Sequence, residues 1–395
     1  MPRMPLLADQ YTVMYRSPDP ATVYAYTPGL LRLPSGRLIG TMDQGGPGVK
    51  NLPGPKATRG EGPHCWQGKV FTSDDGGQTW IHRADFPFFH ARPFLAGNSC
   101  YILGHAGDLM IIRSDDQGET WSEPVAFTKD QWWHQSACSV VYANDRVYLV
   151  MERLVGPPNR TKTCTLAPVV MSAPVNADLT VRDNWIFSEE KTYIDLAADA
   201  GLLGIPFVPG RGMGPGWLEG NMVQFVDPTH PWYDPEGRTF YIWMRAANAP
   251  PNMACVAKAQ EHEDGRISIS LPAAPTGKPV AYLPCPGGHL KFFIQYDEVS
   301  RLYWLIASHA ADSLTGPRER HRLALHFSKN CIDWQMAGLV TAGGSPKQAR
   351  NYASLAIDDE DLLVLSRSGS PAAKSAHDGD MITFHRIRGF RDLVY

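Results

Sequence analysis

The octapeptide Ser73-Asp74-Asp75-Gly76-Gly77-Gln78-Thr79-Trp80 is answered further along the chain by Ser114-Asp115-Asp116-Gln117-Gly118-Glu119-Thr120-Trp121, and both copies read Ser-x-Asp-x-Gly-x-Thr-Trp. Each follows a β-rich run, 69–72 in one case and 109–113 in the other, and each ends in Trp. The pattern predicts a hairpin between two outer strands of one sheet. Its Asp accepts from backbone N–H groups of its own turn, its Gly supplies a positive φ, and its Trp buries a large face between sheets. A third copy, Ser328-Lys329-Asn330-Cys331-Ile332-Asp333-Trp334, is shorter and lacks the Gly. Similar turns recurring at a spacing of roughly 40 residues, or multiples of it, signal a repeat fold.

The strand runs divide into six sheets, at 23–80, 86–121, 132–185, 217–270, 289–334 and 352–395. A spare strand at 11–15 is expected to complete the last sheet and close the ring. With 36 Gly, 33 Pro and 11 Trp, the 395-residue chain suits short strands and tight turns, and only 189–200 invites a short helix. The expectation is an all-β, six-bladed β-propeller, rather than a seven-bladed one, formed as a single domain over 1–395. Long Gly/Pro segments at 45–62, 201–216, 312–320 and 342–350 interrupt the rhythm, most of them just ahead of a candidate site residue.

A net charge of −3 and scattered basic residues exclude the electrostatic footprint of a nucleic-acid-binding protein. Residues 1–20 never reach the apolar run of a signal peptide, and no later segment is suited to cross a bilayer. The expectation is a cytoplasmic protein without a membrane partner, or a secreted one if a leader has been removed. Seven widely spaced cysteines without a Cys-x-x-Cys pattern predict reduced, mostly buried thiols.

The doubled turn resembles the Asp-box (BNR repeat) of the sialidase superfamily. That resemblance implies a propeller in which Asp75 and Asp116 are structural residues on the edge, away from substrate. It also implies an arginine triad gripping a carboxylate, a Tyr nucleophile assisted by Glu, and an Asp acid. The first arginine's setting, Arg-Ile-Pro, falls here on Tyr26-Thr27-Pro28, so that arginine is missing. Glu219, in Trp217-Leu218-Glu219-Gly220-Asn221, falls where the family places its Glu, and Arg245 fits the second arginine. Arg320 or Arg322 fits the third, and Tyr352, in Tyr352-Ala353-Ser354-Leu355, fits the nucleophile. His64 stands in the loop where the family has its Asp, and Asp43 is a substitute acid.

Gly-flanked or Trp-flanked histidines at turns and strand starts, namely His64, His105, His134 and His289, take the place of the missing groups. A His/Tyr/Arg set suits β-elimination on a uronate. A cation neutralises the sugar carboxylate, neutral His removes the adjacent proton, and Tyr protonates the departing oxygen. Arg grips both carboxylate oxygens better than Lys. More loosely, the chain is similar in residue types to propeller-fold polysaccharide lyases such as the L-rhamnose-α-1,4-D-glucuronate lyases.

The expected function is therefore elimination at a terminal acidic sugar of an oligo- or polysaccharide. His105 or His134 would be the base, Tyr352 the acid, and Glu219 and Arg245 would complete the catalytic set. Arg320, Arg322, Asn221, His64, His289, Lys291 and Asp43 would bind substrate. The alternatives are a hydrolase with Tyr352 as nucleophile and Glu219 as helper, and a sugar-binding propeller in which Trp132, Trp133, Trp217 and Trp243 stack on sugars. A carboxylate pair of Glu219 with Asp43 or Asp361 is a further arrangement. No cofactor is expected, since His-x-x-x-His and His-Glu-x-x-His spacings are absent.

Overall fold

The computed structural model describes residues 5–58, 65–156, 163–197, 216–247, 250–311 and 319–395. The strands form six antiparallel sheets whose chain order matches the six sequence runs. In the first blade the inner strand Tyr24–Arg32 pairs with Leu38–Gly45, that strand with Cys65–Ser73, and the last with the outer strand Ile81–Phe86. The second blade repeats this with Phe89–Ala96, Ser99–Ala106, Asp108–Ser114 and Val125–Ala126. The inner strand of the third blade is broken into Trp133–His134 and Val141–Ala143, both paired with Arg146–Leu154. The fourth blade runs from Gly216–Val223 through Thr239–Ala247 and Met253–Glu261, and the fifth from Phe293–Asp297 through Leu302–Ser308 and Arg322–Ser328 to Gln335–Ala342.

The sixth blade has three C-terminal strands, Arg350–Asp358, Asp361–Ser368 and Met381–Ile387. Its fourth strand is Thr12–Arg16, paired antiparallel with Met381–Ile387, so the N-terminus closes the ring as expected. This pairing joins the two ends of the chain by a ladder of backbone hydrogen bonds. Of the helical stretch suggested at 189–200, the described residues 189–197 contain a turn of α-helix, Tyr193–Ala197, and 198–200 lie outside the described residues.

The core consists of the interfaces between neighbouring blades. Second strands such as Thr239–Ala247 are buried along their whole length, which explains their unbroken apolar run. Phe94, Tyr101 and Leu103 of the second blade pack on Val147, Leu149 and Trp185 of the third, and equivalent clusters fill the other boundaries. Trp133, Trp217 and Trp243 are buried in this packing, at 1%, 0% and 0% exposure, leaving them no face for a sugar. Trp132 is half-buried against Leu154, Leu166, Leu218 and Ala247. The seven cysteines are unpaired, five of them buried.

The doubled turn forms the same structure twice. Asp75 accepts from the Thr79 backbone N–H at 2.9 Å and its hydroxyl at 2.6 Å, while Ser73 Oγ donates to Asp75 and accepts from Gly77 N–H. Asp116, Thr120, Ser114 and Gly118 reproduce these bonds. The Thr79 hydroxyl and N–H hold the Asp75 carboxyl down at about 2. Gly77 has φ 90°, and a Cβ there would lie 2.2 Å from the Phe384 ring of the sixth blade, so both backbone and packing demand Gly.

The third copy substitutes the Asn330 amide, which accepts from the N–H groups of Ile332 and Asp333. All three turns join a third strand to an outer strand, at the ends remote from where the inner strands begin. Asp75→Ala is expected to cost about 1–2 kcal/mol of stability through its lost turn hydrogen bonds. Thermal unfolding checks that figure, and activity per folded molecule should be unchanged.

Candidate functional site

Four inner strands share one irregularity near their start. The ladder to the second strand slips between Tyr26 and Gly29, Phe89 and Arg92, Leu218 and Asn221, and Asn351 and Ser354. The first residue inside each slip is left-handed: Thr27 at φ 39°, His90 at 56°, Glu219 at 61° and Tyr352 at 51°. Such conformations cost non-glycine residues roughly 1–2 kcal/mol each, and bulges of this kind re-aim side chains.

The residue just before each slip faces a second-strand partner: Asp43, His105, Arg245 and Arg367 in turn. In the third blade His134 faces Glu152. A register feature repeated from blade to blade thus assembles one polar constellation at the end of the ring where the inner strands begin. Tyr26, at the position where the sequence resemblance looked for a first arginine, has the guanidinium of Arg367 over its ring at 4.3 Å.

Tyr352, Glu219 and Arg245 come together on one side. Arg245 Nη1 donates to Tyr352 Oη at 2.8 Å and to Glu219 Oε2 at 3.2 Å, and Nε donates to the His289 carbonyl at 2.9 Å. This links the fourth blade to the sixth, which are not neighbours, so the contact lies beside the axis. Arg367 and Arg320 place their guanidinium groups 5.1 and 5.5 Å from the Tyr352 ring centre.

Burial works to raise the Glu219 carboxyl, but Arg245, His134 and the Tyr352 hydroxyl outweigh it and hold it below 4.5. Burial and the Glu219 charge raise Tyr352 against the opposing pull of the three arginines. Arg322 lies apart, paired with Glu319, and Asp361 begins the second strand of the sixth blade at the opposite end, bound to Arg386.

Histidines gather on the other side. His90 Nδ1 lies 3.0 Å from His105 Nε2, and the His90 and His134 ring centres are 5.3 Å apart. His134 Nδ1 lies 2.6 Å from the Glu152 carboxylate, whose other oxygen accepts from Gly220 N–H at 3.2 Å. Burial raises the Glu152 carboxyl against the opposing pull of His134. His105 is fully buried, packed edge-on to Phe89 at 4.4 Å. Asp43 accepts from His90 N–H at 3.1 Å, and burial pushes its carboxyl up to about 7. The Ser136 hydroxyl, donating to Glu219 at 3.2 Å, connects the two sides.

Other candidates sit beneath this surface. Lys291, pushed down to about 8 by burial, donates to the Ala353 carbonyl and to Ser354 Oγ, and Ser354 in turn donates to the carbonyls of Pro28 and Ala137. The Asn221 amide donates to Phe292 O and accepts from the N–H groups of Ser139 and Ile294. These groups fill the axis as a cross-blade plug. His289 directs Nδ1 to the Pro251 carbonyl. His64 lies outside the described residues. A cavity of about 410 Å³ occupies the far end of the axis, lined by Leu31, Phe94, Val140, Met222, Ile294 and Leu355, with none of the constellation in its wall.

Sequence reasoning passed over His90, Glu152 and Arg367. Their signal was positional: His90-Ala91-Arg92 repeats the bulge written as Glu219-Gly220-Asn221 and Tyr352-Ala353-Ser354, while Glu152 and Arg367 end apolar second-strand runs as Arg245 does.

No family model and no curated protein matches the chain. Solved structures do match its fold. The Hadza microbial sialidase aligns with TM-score 0.59 at 14% identity, over 96% of this chain and 68% of its own. Trypanosoma rangeli sialidase in complex with the inhibitor DANA aligns at 0.60 and 13%, over 97% of this chain, which spans 60% of that sialidase. The α-L-arabinanase of Penicillium chrysogenum complexed with arabinobiose aligns at 0.53 and 10%, over 98% and 99% of the two chains. With six blades in this order and closure by the N-terminal strand, the chain has the fold of a sialidase-like six-bladed β-propeller.

Proposed function

We propose that the protein is a glycosidase that removes a terminal acidic sugar from a glycan, with Tyr352 as nucleophile. The observation carrying this reading is the Arg245 guanidinium, 2.8 Å from Tyr352 Oη and 3.2 Å from Glu219, with Arg320 and Arg367 beside the same ring. Glu219 takes the phenol proton as Oη attacks the anomeric carbon, and Arg245 stabilises the charge that develops on Oη. A neutral Tyr approaches a carboxylate-bearing sugar without the repulsion that an anionic nucleophile would meet. Arg320 and Arg367, with one face of Arg245, supply the cationic surround for the substrate carboxylate.

The structural neighbours support hydrolysis over the elimination expected from the sequence. Both the sialidases and the arabinanase are glycoside hydrolases by name, and one Trypanosoma rangeli sialidase structure holds 2,3-difluorosialic acid as a covalent intermediate. Elimination is retained as a second reading on one observation, the buried Glu152 that fixes His134 Nδ1 and leaves Nε2 as a base.

The test is incubation with 4-methylumbelliferyl glycosides of N-acetylneuraminic and glucuronic acids and of their uncharged counterparts. Release of fluorophore from an acidic glycoside, with intact sugar acid as co-product, is expected. On a uronate glycosylated at O4, whose C4 oxygen can leave as the C5 proton is removed, product absorbing at about 235 nm would instead support elimination. Equal cleavage of charged and uncharged sugars, or of neither, would overturn the proposal.

A further inference from the structure

His377 lies in the loop 369–380 between the second and third strands of the sixth blade, at the end of the ring that holds Tyr352. The loop is tied down at both ends. Asp380 accepts from Ser370 N–H and Oγ at 2.7 and 2.6 Å, Gly379 O accepts from Ala25 N–H, and Asp380 O accepts from Ser17 N–H. Within it, Asp378 Oδ1 lies 2.6 Å from His377 Nδ1 and accepts from the Tyr26 hydroxyl at 2.7 Å. Arg367, whose guanidinium stands over both Tyr26 and Tyr352, donates to the His377 carbonyl.

The imidazole is therefore oriented from below by a carboxylate while 61% of its side chain remains open to solvent. With Nδ1 committed to Asp378, Nε2 makes no hydrogen bond among the described residues. The groups that face the ring and set its charge are Asp378 of its own loop, Arg367 of the sixth blade, Arg320 of the fifth and Tyr26 of the first. Hydrogen bonding to Asp378 raises its affinity for a proton, and partial desolvation on the protein side of the ring together with the charges of Arg367 and Arg320 more than reverses this, so the net direction is below 6.5.

We infer that His377, positioned by Asp378, is the proton donor to the glycosidic oxygen and then the proton acceptor from the attacking water. The inference rests on the glycosidase reading and supplies the acid that reading lacks. In the first step the imidazolium gives its Nε2 proton to the glycosidic oxygen as that oxygen's bond to the anomeric carbon breaks. Tyr352 Oη bonds to the same carbon, and its proton passes to Glu219. In the second step neutral His377 takes a proton from water, and the water oxygen bonds to the anomeric carbon. The Tyr352–carbon bond breaks, and Glu219 returns its proton to Oη.

The experiment compares the methyl and 4-methylumbelliferyl glycosides of the same acidic sugar. The first has a leaving group that needs protonation and the second one that does not. His377→Ala is expected to lose about a hundredfold or more in kcat/KM on the methyl glycoside and only a few-fold on the other, with the alkaline limb of its kcat/KM pH profile, which reports loss of the imidazolium proton, displaced. Asp378→Asn should shift the same limb with a smaller loss. Thermal unfolding checks that each variant folds.

Equal losses on both glycosides, or none on either, would overturn the role of His377 while Tyr352→Phe still abolishes both reactions. If Tyr352→Phe retains both, or the unaltered protein cleaves neither, the glycosidase reading itself fails and takes this inference with it.

Discussion

Tyr352→Phe is expected to lower turnover of an acidic glycoside by at least about a thousandfold, because it removes the atom that forms the covalent bond. The fold should tolerate the change. Arg245 Nη1 keeps its partner Glu219 at 3.2 Å, so the lost hydrogen bond from Nη1 to Oη costs only about 1 kcal/mol. The ring itself remains packed beneath Arg320 and Arg367. Two measurements check this: steady-state rates on the 4-methylumbelliferyl glycoside, and mass spectrometry of the protein after treatment with a fluorinated sugar that traps the intermediate. The unaltered protein should carry the sugar on the peptide containing Tyr352, and the Phe variant should carry none. Near-native rates in the variant would remove Tyr352 from the chemistry.

Arg245→Met is expected to have the largest effect on stability, about 3–5 kcal/mol, because it leaves the buried Glu219 carboxylate without its cation. Both partners are almost inaccessible, with side-chain exposures of 5% and 4%. The second-site variant Glu219→Gln should recover much of the loss by removing the orphaned charge, so the two changes should be strongly non-additive.

The pH dependence has a definite sign. The Glu219 carboxyl is held below 4.5 in the folded protein, so its contribution is fully present above that pH and is lost as pH falls through the lowered value. The Glu219→Gln variant should lack this part of the acid limb. Denaturant unfolding at neutral and acidic pH measures both effects, and additive losses in the double variant would show that the ion pair does not hold the site together.

The two largest effects thus fall on residues whose types were legible in the chain. Tyr352, Glu219 and Arg245 stood out because each sits in a short motif, and the inner-strand bulge that presents Glu219 and Tyr352 is written locally as a large polar residue followed by a small one. His90 follows the same rule in His90-Ala91-Arg92, yet passed unnoticed because a lone His beside two Phe residues reads as core. Arg367 was missed for a different reason. The resemblance placed the first arginine at Tyr26, while the guanidinium that covers Tyr26 comes from the adjacent blade at the other end of the chain. Such a meeting is made in space and leaves no trace in spacing. Conversely, Lys291 and Asn221 look like binding groups by residue type, but they face the axis below the constellation, where backbone carbonyls and N–H groups use their polar atoms.

The doubled Ser-x-Asp-x-Gly-x-Thr-Trp turn, the six strand runs and the spare strand read at 11–15 determined the architecture, because a turn closed by its own side chain and a strand with a period of two are encoded over a few neighbouring residues. Those signals need no knowledge of distant contacts. Which polar groups meet was decided only when the ring closed, since closure sets the sixth blade against the first and brings the fourth within reach of it. Arg245 reaches Tyr352, and Arg367 and Asp378 reach Tyr26, across separations of up to 352 residues. The physical reason is that hydrogen bonds and charge pairs act over a few ångströms, so their partners are fixed by the tertiary path of the backbone.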